Sequence, residues 1–213
     1  MKNVLIAVPS MDSVPAAFAH SLSMLEKIED TATAVSFNIG SLVYSSRNEL
    51  ARRSIEMGAD YIFWLDSDMV FDPDILKRCW AIKDQADIIT GLYFRRVAPY
   101  TPVLYDQMDF NERDECTWKE TAELPDAPFE VAACGFGCVL MPTHIFIDVQ
   151  TKYGTMFNPI GGTGEDLAFC WRARQLGYKI ICDPSIELGH AGQMIYCRGH
   201  FEAYKEQQQN DNK

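Results

Sequence analysis

The sequence predicts one α/β domain, with a mostly parallel central sheet and helices on both of its faces. Three observations predict it: short apolar runs typical of buried parallel strands, the alternation of these runs with stretches of helical periodicity, and Gly or Pro at the boundaries. A chain of 213 residues suits one domain, since at this length folding buries roughly two thirds of the unfolded chain's surface.

The first half of the chain alternates strands and helices. Pro9-Ser10 stops the first strand, Gly58 ends the second helix, and Pro73 opens the third. We predict strands at 3–8, 34–37, 61–65 and 87–90, and helices at 14–28, 46–57 and 73–84.

The second half is less regular. Residues 101–130 are polar, acidic and poorly periodic, which predicts a hairpin or loop excursion over the functional site. Gly135 and Gly137 indicate a bend in their strand or the close approach of another group. Further strands are predicted at 131–141 and 178–182, helices at 143–152 and 165–176, and a Gly-rich loop at 154–164. The domain should then span 1–203, and the polar tail at 204–213 should be disordered.

Composition argues against several classes of protein. The net charge of −11 and the pI near 4.7 disfavour nucleic-acid binding through the overall field, unless Arg52, Arg53, Arg95 and Arg96 line one groove. No apolar run approaches the ~18 residues of a membrane span. The seven cysteines lack the spacing of a disulfide framework, which favours reduced thiols and a cytoplasmic location.

The segment Asp66-Ser67-Asp68 follows a buried apolar run, so that two carboxylates lie one residue apart at its end. Side chains two residues apart in a strand point the same way, and such a pair can share one cation. Mg²⁺ and Mn²⁺ prefer carboxylate oxygen together with a substrate phosphate. An Asp-rich turn would show the same pattern, so the motif needs support from other residues.

Three other positions offer that support, each with a simpler alternative. Glu165 and Asp166 open a helix after a Gly-rich loop, where one could act as a general base, although acidic residues are also ordinary helix caps. His190 lies in a loop of small residues and could bind a metal, or could be a surface histidine. Arg47 opens a helix and could pair with phosphate, or belong to an exposed basic face.

In combination, these motifs resemble the GT-A glycosyltransferase superfamily, especially the small family-2-like enzymes common in bacteriophages and bacteria. The resemblance covers about residues 3–195, and its motifs occur in the family's order. They are Ser46-Arg-Asn-Glu-Leu-Ala51, the D-x-D segment at 59–71, the G-E-D helix at 164–178, and Leu188-Gly-His190. A single D-x-D is weak evidence, whereas D-x-D, G-E-D and the late G-H together are quite specific.

The resemblance implies a Rossmann-like GT-A domain that transfers a sugar from a nucleoside diphosphate sugar to a hydroxyl. Mn²⁺ or Mg²⁺ would stabilise the departing diphosphate. Asp68 would bind the metal, Asp66 would contact the metal or the ribose, and His190 would complete the metal shell. The other nucleotide-sugar contacts would come from Pro9, Ser10, Arg47 and Ser67.

The resemblance also implies an acceptor side. Asp166, or else Glu165, would be the catalytic base, and Gly135 and Phe136 would belong to the acceptor region. A uridine-linked donor is the most frequent in the family. The acceptor could be a modified DNA base, a glycan or a protein, and a phage-encoded enzyme would work in the host cytoplasm. The larger membrane-bound synthases add an acceptor motif and membrane helices, which are missing here. Stereochemistry and oligomeric state stay open.

Two other functions compete with this one. A phosphatase of the haloacid dehalogenase type would use Asp66 as nucleophile and Asp68 as acid/base. Against it, a segment of about 60 residues precedes the motif, and no later G-D-x-x-x-D pattern follows. A non-catalytic nucleotide-sugar-binding module is the second alternative, against which the full set of acidic residues and His190 argues.

Overall fold

The computed structural model describes residues 1–40, 42–192 and 195–211. The helices predicted at 14–28 and 73–84 are shorter than expected, whereas the strand predicted at 34–37 is longer. In chain order, the elements are β1 (Lys2–Ser10), α1 (Ala16–Met24), β2 (Thr31–Ile39), α2 (Val43–Glu56), β3 (Tyr61–Leu65), β4 (Met69–Val70), α3 (Ile75–Ala81), β5 (Ile88–Leu92), β6 (Leu104–Phe110), β7 (Cys116–Glu120), β8 (Phe129–Val131), β9 (Ala133–Cys134), β10 (Cys138–Pro142), α4 (His144–Tyr153), α5 (Glu165–Gln175), β11 (Ile180–Glu187), β12 (Gly189–Ala191), β13 (Ile195–Tyr196) and α6 (Arg198–Asp211).

The central sheet has seven strands in the order β2-β1-β3-β10-β5-β11-β8, and it is mixed. Strand β1 is parallel to β2 and β3, and β5 is parallel to β11, but β10 is antiparallel to both of its neighbours and β8 to β11. Five of the seven strands run in one direction, but only three of the six neighbouring pairs are parallel, so the prediction of a mostly parallel sheet is confirmed only in part. The chain enters β10 beside Leu65, at the carboxyl end of β3, so β10 must run back in the opposite direction.

Helices cover both faces of this sheet, as predicted. Strand β1 shows why, because its side chains alternate between two separate cores. Val4, Ile6 and Val8 belong to the core under α1 and α3. Leu5 and Ala7 belong to the core under α2, α4 and α5. A strand buried on both faces needs apolar residues at every position, and this explains the continuous apolar run in the sequence.

The segment predicted as one strand at 131–141 is divided among three strands. Strand β8 pairs with β11, β9 pairs with β6, and β10 enters the middle of the central sheet. The excursion at 101–130 contains the antiparallel hairpin of β6 and β7, which forms a small second sheet with β9. A third sheet joins β12 to β4 and β13.

The carboxy-terminal segment is helical rather than disordered over 204–211, because α6 continues to Asp211; the last two residues of the predicted tail lie outside the described part of the chain. Two aromatic contacts anchor the helix: Phe201 packs on Phe94, with ring centroids 5.5 Å apart, and Tyr204 packs on Tyr100. Over the described residues, no helix combines the length and the apolar character that crossing a membrane requires.

The close approach predicted at Gly135 and Gly137 is confirmed, and the approaching group is Tyr93. A Cβ atom on Gly135 would lie 2.0 Å from the Tyr93 hydroxyl, and one on Gly137 would lie 2.8 Å from Cζ of the same ring. The Gly137 N–H donates to the Tyr93 hydroxyl at 3.2 Å. The two glycines therefore make room for a buried tyrosine at the carboxyl end of β5.

We expect Gly137→Ala to lower the free energy of unfolding by about 1–3 kcal/mol, because the added methyl overlaps the rigid ring of Tyr93. Chemical denaturation measures the change. Gly199→Ala is the matched control: a Cβ there meets nothing closer than 3.9 Å, and alanine favours helix α6 by up to about 1 kcal/mol. Equal stability of Gly137→Ala and the wild type would contradict this account of the strand.

Candidate functional site

The D-x-D segment forms a turn between β3 and β4 at the centre of the sheet. The Met69 N–H donates to the carbonyl of Asp66 at 3.1 Å, and the Asp66 N–H donates to the carbonyl of Gly137 at 3.2 Å. The strand geometry from which we expected Asp66 and Asp68 to point the same way is therefore absent. The turn nevertheless brings both carboxylates to the same two cavities.

Arg47 is the buried centre of the site, with only 3% of its side chain exposed. Its Nη2 lies 2.8 Å from Oδ1 of Asp66, and its Nε lies 3.0 Å from Oε1 of Glu165. The alternative of an exposed basic face is wrong for this residue. Burial alone would lower the pKa of Arg47, but Asp66 and Glu165 outweigh burial and raise it, so the guanidinium stays charged.

Two aromatic rings lie against the same guanidinium. Its Cζ is 5.4 Å from the ring centroid of Trp64 and 5.3 Å from that of Phe136, which are cation–π distances. Phe136, which was predicted in the acceptor region, is only 1% exposed and packs on other core rings, so it belongs to the core. Its neighbour Gly135 is likewise buried against Tyr93.

His190 lies beside Asp68, because β12 pairs with β4 in a register that places His190 opposite Met69. Its Nε2 is 3.3 Å from Oδ2 of Asp68, and its Nδ1 is 2.8 Å from the carbonyl oxygen of Phe94. Burial opposes ionisation of Asp68, but the contacts with His190 and Arg96 outweigh burial and lower its pKa. Asp68 is therefore a carboxylate at neutral pH.

The side chains of Asp68 and His190 suit a cation that also binds a ligand better than a cation held by protein side chains alone. Among the residues that the structure describes, no three His, Cys, Asp or Glu side chains gather into a metal-holding group. Asp68 and His190 supply one oxygen and one nitrogen, since Nδ1 of His190 donates to the Phe94 carbonyl and Nε2 faces Oδ2 of Asp68. Oδ1 of Asp66, which was also predicted as a ligand, pairs with Arg47. A hard cation with so few protein ligands takes the rest from phosphate and water.

Glu165 and Asp166 open α5 and differ in their surroundings. Glu165 is bound by Arg47. Asp166 has no cation that contacts it among the described side chains, and its Oδ1 accepts only the Leu167 N–H, at 2.8 Å. Burial, with repulsion from Glu165, raises the pKa of Asp166 to about 7. Asp166 can therefore exchange a proton near neutral pH.

Two cavities meet at these carboxylates, and Asp66, Asp68 and Asp166 line both. The smaller, of about 260 Å³, is also lined by the predicted nucleotide-sugar residues Pro9, Ser10, Arg47 and Ser67. The larger, of about 940 Å³, lies between the β6–β7 hairpin and the Gly161–Gly164 loop. The walls of the larger cavity include His190, Tyr93, Tyr105, Trp118, Arg95 and Arg96.

The site also contains residues that the sequence analysis did not select. Tyr93 lies in the wall of the larger cavity, and burial raises its pKa well above the usual value. The signal for it was its position, directly after β5 at the carboxyl edge of the sheet, where ligands bind in such folds. Trp118 lies on strand β7 of the hairpin, and no sequence feature comparable to the position of Tyr93 indicated that it lines the site.

The four arginines considered for a nucleic-acid groove do not share one. Arg95 and Arg96 line the larger cavity. Arg52 and Arg53 lie on α2, where Arg52 pairs with Glu49 and Arg53 donates to Ser36 of strand β2. The described side chains therefore do not form the single arginine-lined groove that binding of duplex DNA would require.

We expect Arg47→Met to lower the free energy of unfolding by about 3–5 kcal/mol at neutral pH, because it leaves Asp66 and Glu165 without a buried counterion. Denaturant titration measures this loss. Arg52→Met removes the same charge from the same helix at an exposed pair, so it should change stability by less than about 1 kcal/mol. Equal losses in the two variants would contradict the central role of Arg47.

Neither a family model nor a curated protein matches this chain by sequence. Solved structures do match it, 312 chains in all, and a fold this common does not single out an activity. Among them is the crystal structure of A197 from STIV, with a TM-score of 0.65 and 19% sequence identity over 90% of this chain and 86% of that chain. At this identity, the likeness shows the fold alone: the chain is an α/β domain of the architecture shared with A197.

Proposed function

We propose that this protein is a metal-dependent GT-A glycosyltransferase that moves a sugar from a nucleoside diphosphate sugar to a hydroxyl. The observation that carries the proposal is the junction of two cavities at Asp66, Asp68 and Asp166. A transferase must bind two substrates that meet at one point, with charge control at that point. The order of the D-x-D, G-E-D and G-H motifs supports the same proposal.

The smaller cavity is suited to the nucleotide. It extends from the D-x-D turn to the end of β1, where Pro9 and Ser10 face Gly40 and Val43. A base fits beside these small and apolar side chains, with the diphosphate toward Ser67 and Asp68. Arg47 does not bind phosphate in this proposal, since Asp66 and Glu165 hold its guanidinium; it fixes these two side chains in place. We take uridine diphosphate as the first donor nucleotide to test.

Asp68 and His190 would hold Mn²⁺ or Mg²⁺ together with the diphosphate oxygens. When bound, the cation supplies positive charge that stabilises the diphosphate as it leaves. The chain's own contribution is orientation: the Phe94 carbonyl fixes the His190 ring, and the β4–β12 pairing fixes the distance between His190 and the turn.

Asp166 is the proposed catalytic base. It lines both cavities, and its pKa of about 7 suits a group that must accept a proton near neutral pH. The acceptor oxygen would attack the anomeric carbon, the bond from that carbon to the diphosphate would break, and the hydroxyl proton would pass to Asp166. Glu165 is a weaker candidate, because Arg47 binds its carboxylate.

We expect UDP, GDP or CDP to stabilise the wild type only in the presence of Mn²⁺. At 100 times its dissociation constant, the correct nucleotide should add about 2.7 kcal/mol, seen as a rise in melting temperature. Asp68→Ala should lose this effect, since it removes the proposed metal ligand. Asp84→Ala should keep it, because Asp84 is exposed and forms its ion pair with the adjacent Lys83.

The absence of any nucleotide effect in the wild type would contradict the proposal. Release of phosphate from simple phosphomonoesters by the same preparation would then favour the phosphatase alternative. Stabilisation by the intact nucleotide sugar without transfer to any hydroxyl, or any hydrolysis, would favour the non-catalytic binding module.

We expect Asp166→Asn to abolish transfer while raising stability above pH 7. The carboxyl has a pKa of about 4 in the unfolded chain and about 7 in the fold, so folding takes up a proton between these values. The free energy of unfolding therefore falls as pH rises from 4 to 7, because the carboxyl ionises in the unfolded chain but stays protonated in the fold. The asparagine should be more stable by about 1–3 kcal/mol at pH 8 and equal to the wild type below pH 4, as measured by denaturation at each pH.

The wild-type transfer rate should also fall as pH drops below 7, since the base becomes protonated. A stability difference that does not change with pH would show that Asp166 is not the group with the raised pKa. Glu165→Gln is the control, because Arg47 holds that side chain and no comparable gain in stability at high pH is expected.

A further inference from the structure

The guanidinium of Arg96 contacts the carboxylate of Asp68, the proposed metal ligand. Nη1 of Arg96 lies 3.1 Å from Oδ2 of Asp68, the same oxygen that faces His190 at 3.3 Å. The same Nη1 donates to the carbonyl of Ala191, at 3.0 Å. Arg96 thus connects the segment after β5 to both the D-x-D turn and strand β12.

A divalent cation and this guanidinium would compete for Oδ2 of Asp68, because the guanidinium nitrogen already lies 3.1 Å from that oxygen. Two positive charges at one carboxylate oxygen also repel each other in a partly buried site. We therefore expect binding of the cation to displace Arg96 from Asp68.

The Arg96 side chain has space beside it and a second hydrogen-bond partner. Its side chain is 45% exposed and lines the larger cavity. The bond to the Ala191 carbonyl lies next to His190 and can keep the displaced guanidinium near the cation. Phosphate oxygens that bind the cation would then lie within reach of its free N–H groups, and guanidinium pairs well with phosphate.

We infer that Arg96 is an internal counterion of Asp68 that transfers to the donor's diphosphate when metal and nucleotide bind together. This inference rests on the proposed function. It makes binding cooperative: a metal ion alone must displace Arg96 without giving it a new partner, whereas the diphosphate supplies that partner. Metal and nucleoside diphosphate should therefore strengthen each other's binding by the same factor.

Arg95, the residue before Arg96, is a matched control because its partners are different. Arg95 also lines the larger cavity, but Nη2 contacts the Tyr105 hydroxyl at 2.8 Å and Oε1 of Glu120 at 2.9 Å. Neither partner belongs to the metal position. Arg95→Gln thus removes the same charge from the adjacent residue without releasing Asp68.

The test measures the affinity for Mn²⁺ alone, and for UDP, GDP and CDP with and without saturating Mn²⁺, by isothermal titration calorimetry. In Arg96→Gln, Mn²⁺ alone should bind at least about fivefold more tightly, because its competitor is gone. The nucleotide that the wild type binds should bind about tenfold more weakly to this variant with Mn²⁺ present, and the factor by which metal and nucleotide strengthen each other's binding should decrease. Arg95→Gln should leave the affinity for Mn²⁺ alone within about twofold of the wild type.

Arg96→Lys checks that charge, rather than a disturbed loop, produces the effect. It keeps the positive charge, so Mn²⁺ alone should bind about as weakly as in the wild type. If the wild type binds a nucleotide with Mn²⁺ but Arg96→Gln binds Mn²⁺ alone no more tightly than the wild type does, this inference is overturned and the proposed function stays in place. Failure of the wild type to bind any of the three nucleotides with Mn²⁺ would overturn both.

Discussion

The arrangement of the site depends on the buried ion pairs of Arg47. One guanidinium joins three parts of the chain that are far apart in sequence: helix α2, the turn after β3 and the start of α5. It lies on Trp64 and Phe136, so the aromatic core supports it from below while the carboxylates hold it from the side. A buried carboxylate without a counterion would become neutral or draw in water. Arg47 gives Asp66 and Glu165 a shared counterion at the edge of a cavity.

This arrangement leaves Asp166 in an unusual position. It follows Glu165 directly, yet the cation that neutralises Glu165 does not contact Asp166. Burial and repulsion from Glu165 both favour the protonated form of Asp166. The cost to stability of such a group is a feature common to functional sites.

The path of the chain supplies the second half of the site. After β5, the polypeptide stays at the carboxyl edge of the sheet, forms the β6–β7 hairpin there, and returns through β10 in the opposite direction. The return explains both the mixed sheet and the wall of the larger cavity. It also brings Gly135 and Gly137 against Tyr93, where any side chain would collide with the ring.

The sequence by itself determined the α/β class, strands buried on both faces, most strands and helices of the first half of the chain, and the positions of the polar residues that follow the strands. These features are local, since apolar periodicity and Gly or Pro signals act over a few residues. Only the tertiary structure decided that Arg47 is buried rather than exposed, that Phe136 belongs to the core, that β10 is antiparallel, and that α6 is helical to Asp211. These features depend on contacts between residues distant in sequence: the ion pairs of Arg47 span 19 and 118 positions, and Phe201 reaches Phe94. A local pattern contains no information about such partners, because it records what a segment can form and not what it meets.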